Sequence, residues 1–106
     1  GPGSERGRAL CPRTAALLDG IAAARHLAAS EGACGNAIFA TLAPGTTLSP
    51  HCGPTNTRLT CHLGVEVPDN CGIRVGTETR MWQVGKCLVF DDSWEHEVWN
   101  NSGAVR

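Results

Sequence analysis

No apolar run among the 106 residues approaches the roughly 20 needed to cross a bilayer, so this segment is expected to make no membrane contact. Basic residues are few and scattered: nine Lys and Arg with no cluster and a net charge of −1, which argues against a nucleic-acid partner. There is no C-x-x-C pair, no internal repeat and no low-complexity segment. The opening Gly1-Pro2-Gly3-Ser4 reads as a scar of tag removal and is set aside. A native signal or anchor upstream would have gone with it, so the compartment stays open. Residues 5–106 suit a single small domain with a modest core.

Cysteine, by contrast, is abundant: Cys11, Cys34, Cys52, Cys61, Cys71 and Cys87. In a short secreted chain that count suggests a disulfide framework. The other reading is that Cys61 and Cys87, inside apolar strand-like runs, act as small buried hydrophobes. If a bridge forms, Cys11 and Cys34 are the better candidates, because both sit in loop-like sequence outside the strands.

Residues 12–29 read as helix, with Pro12 near the first turn and an apolar stripe through Ala15, Leu18, Ile21 and Ala28. Gly20 weakens its middle and allows two shorter helices. From Asn36 onward the pattern turns to short β runs broken by turn residues. Strands are expected at Ala37–Leu42, Arg58–Val67, Gly72–Val75, Arg80–Val84, Lys86–Phe90 and Glu97–Trp99, with a loop from Pro50 to Asn56. The fold class is therefore mainly β, a sandwich or jelly roll with an N-terminal helical segment. Alternation in Arg58–Val67 puts Arg58, Thr60, His62 and Gly64 on one face and Leu59, Cys61, Leu63 and Val65 on the other. The apolar set is expected to pack on a core or a covering helix. The polar set faces either water or a polar interior.

Of four histidines, His26 belongs to the helical segment and is expected at the surface. His51, beside Pro50, and His96, within Asp91-Asp92-Ser93-Trp94-Glu95-His96-Glu97, sit at loop edges that can meet at the mouth of a small barrel. Imidazole suits iron, zinc or copper, and non-haem iron oxygenases usually add a carboxylate. The common place for it, two residues after the first His, is Gly53. Asp91 and Asp92 are read as turn-capping or His96-orienting groups rather than as the replacement ligand. A zinc cluster of Cys52, Cys61, His51 and His62 is disfavoured, because strand neighbours Cys61 and His62 point opposite ways. Trp82, Trp94 and Trp99 read as packing residues, and Thr55 and Asn56 as bracing for the His51 loop.

Two longer runs add to this. Pro50-His51-Cys52-Gly53-Pro54-Thr55-Asn56-Thr57-Arg58-Leu59-Thr60-Cys61-His62-Leu63-Gly64 resembles the first metal motif of the aspartyl/asparaginyl β-hydroxylase family. Trp82-Gln83-Val84-Gly85-Lys86-Cys87-Leu88-Val89-Phe90-Asp91-Asp92-Ser93-Trp94-Glu95-His96-Glu97-Val98-Trp99 resembles the second. The resemblance covers roughly residues 34–106 and is looser back to Pro12. In that family a glycine two residues past the first His is normal.

The resemblance implies a double-stranded β-helix (jelly roll, cupin-like) and an Fe(II)- and 2-oxoglutarate-dependent dioxygenase that hydroxylates the β-carbon of Asp or Asn in a peptide or protein. It further implies His51 and His96 as metal ligands, and His62 lining the co-substrate site. Arg106 would grip the distal carboxylate of 2-oxoglutarate in a fork, and Arg58 would sit near the substrate pocket. Molecular oxygen is the second co-substrate. Animal members act on epidermal-growth-factor-like domains, which would place the protein at the endoplasmic reticulum, whereas related bacterial enzymes act on other molecules.

Three features depart from the family pattern. Thr60 stands where a second basic residue is common, Ala40 where a serine near the co-substrate carboxylate is found, and the sequence stops at Arg106 before an expected apolar strand. These support an alternative: a catalytically weak or inactive relative that binds metal or peptide. A jelly-roll module without metal is a third reading.

Overall fold

In a computed structural model of the chain, residues 5–21 and 37–104 are described. Contacts divide the chain into two compact units, Gly1–Ala40 and Thr41–Arg106, and each is taken by itself.

The first unit holds two short helices, α1 (Glu5–Leu10) and α2 (Pro12–Asp19). α1 was not expected from the sequence. Glu5 in its first turn and Arg8 in its last oppose the helix dipole, which favours even so short a helix. Pro12 takes the first turn of α2, where its missing N–H costs nothing. Gly20 closes α2, donating its N–H to the carbonyls of Ala16 and Leu17, and Arg8 pairs with Asp19 between the two helices. The helix expected over 12–29 thus stops at Asp19, and its part from residue 22 lies outside the described residues, as do His26 and Cys34. No strand forms at Ala37–Leu42; Ile38 and Phe39 are exposed there, and only Leu42 is buried.

The second unit is mainly β and antiparallel. A four-stranded sheet runs β1 (Thr46–His51), β6 (His96–Asn100), β3 (Cys71–Val75), β4 (Glu78–Arg80). A two-stranded sheet pairs β2 (Thr60–Leu63) with β5 (Cys87–Phe90). The chain therefore passes from one sheet to the other and back, which accords with a double-stranded β-helix. Leu42, Cys71, Ile73, Trp82 and Val98 form the buried cluster, and Val67, Val75, Leu88 and Phe90 pack against it. Both sheets thus contribute to one interior.

Period-two alternation decides which β6 residues enter that interior. His96, Val98 and Asn100 are buried, while Glu97 and Trp99 are half-buried. Asn100 is fully buried, and both ends of its amide are used. Its Nδ2 donates to the carbonyls of Leu42 (2.9 Å) and Ala104 (2.8 Å). Its Oδ1 accepts from the Cys71 thiol (3.1 Å) and from Ser102.

Several expectations are corrected. β1 replaces the expected Ala37–Leu42 strand as the edge partner of β6, and it takes in Pro50 and His51, expected in a loop. β4 lies at Glu78–Arg80 rather than Arg80–Val84. Gly76, in the left-handed region at φ 57°, makes a two-residue turn that pairs Val75 with Glu78 at once. Of the expected Arg58–Val67 strand, Thr60–Leu63 forms a ladder and Gly64 a single bridge with Val84. The apolar face of that segment, expected to pack on a core or a covering helix, is turned outward. Leu59, Cys61, Leu63 and Val65 are exposed, while Thr60 and His62 are half-buried and Gly64 is buried. The polar face looks inward because it meets a ring-lined site. Cys61 and Cys87 are exposed rather than buried; Cys71 is the buried one. Trp82 is buried as a packing residue, whereas Trp94 is 63% exposed.

Candidate metal centre

β1 and β6 bring the two expected ligands together. Thr46, Thr47 and Leu48 pair with Asn100, Trp99 and Val98, but the next recorded pair is His51 with His96. Regular pairing would put Pro50 opposite His96, so one extra residue is accommodated between Leu48 and His51. In a strand, neighbouring side chains alternate faces, so without that bulge His51 would point away from His96. With it, the two ring centroids are 4.3 Å apart at an interplanar angle of 59°.

Each ring is fixed the same way. Nδ1 of His51 lies 2.7 Å from the Ser49 carbonyl, and Nδ1 of His96 lies 2.8 Å from the Trp94 carbonyl. A carbonyl can only accept, so each Nδ1 carries the hydrogen and each Nε2 keeps a lone pair. This is the tautomer a metal-ligating imidazole needs. His96 is buried and His51 is exposed.

The loop after His51 explains the missing carboxylate. Gly53 donates its N–H to the Asp92 carbonyl at 2.6 Å. A Cβ on residue 53 would lie 2.6 Å from Asp92 Cγ and 2.7 Å from each carboxylate oxygen. The Asp92 carboxylate therefore fills the space that a side chain at position 53 would occupy. Arg58 Nη2 donates to Asp92 Oδ2 at 3.0 Å, while buried Asp92 Oδ1 and Arg58 Nε find no hydrogen-bond partner among the described residues. Arg58 is thus an anchor for this loop as well as a candidate substrate contact. Thr55 Oγ1 accepts the Thr57 N–H, as expected of a loop brace. Asp91 has the capping role: its Oδ1 accepts from the Ser93 amide (2.9 Å) and hydroxyl (2.7 Å), which holds its carboxyl below the usual carboxylate range.

Aromatic rings extend the site across the two sheets. Phe90 lies 5.6 Å from the His96 ring and 5.0 Å from the His62 ring. Trp82 Nε1 donates to His62 Nδ1 at 3.2 Å. Sequence reasoning missed Phe90 and this role of Trp82. The inward polar alternation of β2 was the only signal for them. Arg106 lies outside the described residues. Among the described residues, no group of three or more His, Cys, Asp or Glu gathers as a cation cage. The donors suited to a metal are the two imidazoles of His51 and His96.

The sequence profile described as Aspartyl/Asparaginyl beta-hydroxylase matches residues 2–106. The chain belongs to the aspartyl/asparaginyl β-hydroxylase family. It is 43% identical over 98 residues to mouse aspartyl/asparaginyl beta-hydroxylase, covering 90% of this chain and 12% of that protein. It is 40% identical over 94 residues to human aspartate beta-hydroxylase domain-containing protein 2, covering 89% of this chain and 24% of that protein. With mouse aspartate beta-hydroxylase domain-containing protein 1 it shares 47% identity over 72 residues, 68% of this chain and 20% of the relative. The chain thus spans about a quarter or less of the length of these curated relatives.

Proposed function

We propose that this family member is the core of an Fe(II)- and 2-oxoglutarate-dependent dioxygenase that hydroxylates the β-carbon of Asp or Asn in a peptide or protein. The observation that carries the reading is the pair His51 and His96, with rings 4.3 Å apart and both Nδ1 atoms tied to backbone carbonyls. The residues fit a ferrous ion held by His51 and His96 through Nε2. Iron, 2-oxoglutarate and molecular oxygen together would supply the oxidising power to hydroxylate an unactivated carbon.

The chain's own contribution is positional. The bulge in β1 aims His51, and β6 aims His96 from the buried face. Gly53 leaves room for the Asp92 carboxylate, whose free Oδ1 is an acceptor beside the site. Phe90, His62 and Trp82 form a wall that orders a bound co-substrate and excludes water. Arg106 is assigned to the distal carboxylate of 2-oxoglutarate, where a guanidinium fork is chemically apt. Arg58, with Nε unpartnered, is assigned to the substrate side. An epidermal-growth-factor-like domain would be such a substrate.

The second reading, a metal- or peptide-binding relative without turnover, is favoured by Ala40 and Thr60, which give up a serine hydroxyl and a basic group expected near the acidic ligands. Calorimetry with Fe(II) under anaerobic conditions, or Mn(II) EPR, tests the site. Binding that disappears in His51→Ala supports it, and absence of binding in the parent chain overturns it. Succinate release from 2-oxoglutarate by the loaded protein then separates enzyme from binding module.

A further inference from the structure

The exposed face of the β2–β5 ribbon carries two thiols that the proposed hydroxylation does not use. The register pairs Cys61 with Val89 and Leu63 with Cys87, so Cys61 and Cys87 are diagonal neighbours on one face. Both are exposed. Desolvation, and then the neighbouring Cys87 side chain, push the Cys61 thiol above its ordinary range. A cleft of about 350 Å³ opens beside Cys87, with Arg80, Met81 and Lys86 among its walls. Arg80 in that wall is held by Glu78 through Nε and Nη2, so Lys86 is the cation that a carboxylate of a small anionic disulfide would meet there.

We propose that Cys61 and Cys87 are a reversible dithiol site, oxidised to a cross-strand disulfide by a glutathione-class disulfide. The Cys87 thiolate attacks one sulfur of oxidised glutathione, a mixed disulfide forms, and one glutathione leaves as thiolate. The Cys61 sulfur, after giving its proton to water, attacks the Cys87 sulfur and expels the second glutathione. Two protein thiols and one oxidised glutathione thus become one protein disulfide and two reduced glutathiones.

The register also predicts that the bond is labile. Diagonal strand positions lie about 7–8 Å apart between Cα atoms, beyond the about 6.8 Å limit of relaxed disulfides. β2 must therefore move toward β5 for the bond to close, and the product is exposed and strained. Disulfides of that kind are the readily reduced ones. The movement occurs directly behind His62, which sits between Cys61 and Leu63 and points to the opposite face.

The test is oxidation with oxidised glutathione, alkylation of the remaining thiols and peptide mapping by mass spectrometry. Cys11, Cys34 and Cys52 are first replaced by Ser so that only buried Cys71 accompanies the pair. The expected result is loss of two alkylatable thiols, a linked Cys61–Cys87 peptide and full recovery with dithiothreitol. Cys61→Ser should instead retain a stable glutathione adduct on Cys87. Cys61→Val, which keeps β propensity, repeats this if Ser disturbs the strand. A stable adduct on Cys87 with Cys61 intact, or a bond mapping to Cys71, overturns the proposal.

Discussion

His51 and His96 are register partners across β1 and β6, and each ring is anchored through Nδ1 to the carbonyl two residues before it. The anchoring leaves a lone pair on each Nε2, which the proposed metal ion would take. Binding to the folded state alone should then raise stability, by about 2.7 kcal/mol when the free ion is a hundredfold above its Kd. Thermal unfolding with and without Mn(II) measures this. His51→Ala and His96→Ala should each remove the stabilisation, and a variant that keeps it would exclude that residue as a ligand.

Gly53→Ala should destabilise the protein by about 1–3 kcal/mol, the usual cost of overpacking. The new Cβ would collide with the Asp92 carboxylate and disturb the Arg58 contact. In an Asp92→Ala background the same substitution should cost much less. Urea unfolding of the four proteins gives the coupling. Additive losses would mean that Asp92 does not fill the space above Gly53.

Asn100→Ala should cost about 2–4 kcal/mol, because the Leu42 carbonyl loses the Asn100 amide donor and the Cys71 thiol keeps only the long contact to the Asp69 carbonyl at 3.9 Å. Ser102 loses Asn100 as an acceptor for its N–H and hydroxyl and keeps the Ala104 carbonyl, which loosens the turn before Ala104. Chemical denaturation measures the loss. A change under about 0.5 kcal/mol, the scale of an ordinary surface substitution, would show that the amide is replaceable.

The Asp91–Ser93 cap should survive acid better than an ordinary carboxylate contact. Its folded pKa is held down by the two Ser93 hydrogen bonds. A depressed carboxyl stabilises the fold above its unfolded pKa, and that contribution fades as pH falls toward and through the folded value. The Ser93 amide resonance should therefore hold steady down through the usual carboxylate range, about pH 4, and move only below it. Asp91→Asn should abolish that acid transition; a persisting transition would assign it to another carboxyl.

Much of this site is legible in the chain. Short strand-like runs mark β3, β5 and β6, and the turn residues mark the β3–β4 turn, because strand composition and turn chemistry are local properties. The two motifs around His51 and His96 point to the family, and the match over residues 2–106 shows it. Asp91 as a turn cap is likewise readable, since Ser93 lies two residues away.

Pairing partners are not local, and there the sequence falls short. Ala37–Leu42 has strand-like composition yet stays unpaired, while Thr46–His51 takes the edge beside β6. Competition for a sheet edge is settled by register and packing, which no single segment encodes. The same holds for His51. Its identity as a ligand candidate comes from sequence alone, but its orientation depends on one extra residue between Leu48 and His51. A side chain in a strand changes face with every residue, so only the tertiary pairing could turn His51 toward His96 and set the Asp92 carboxylate over Gly53.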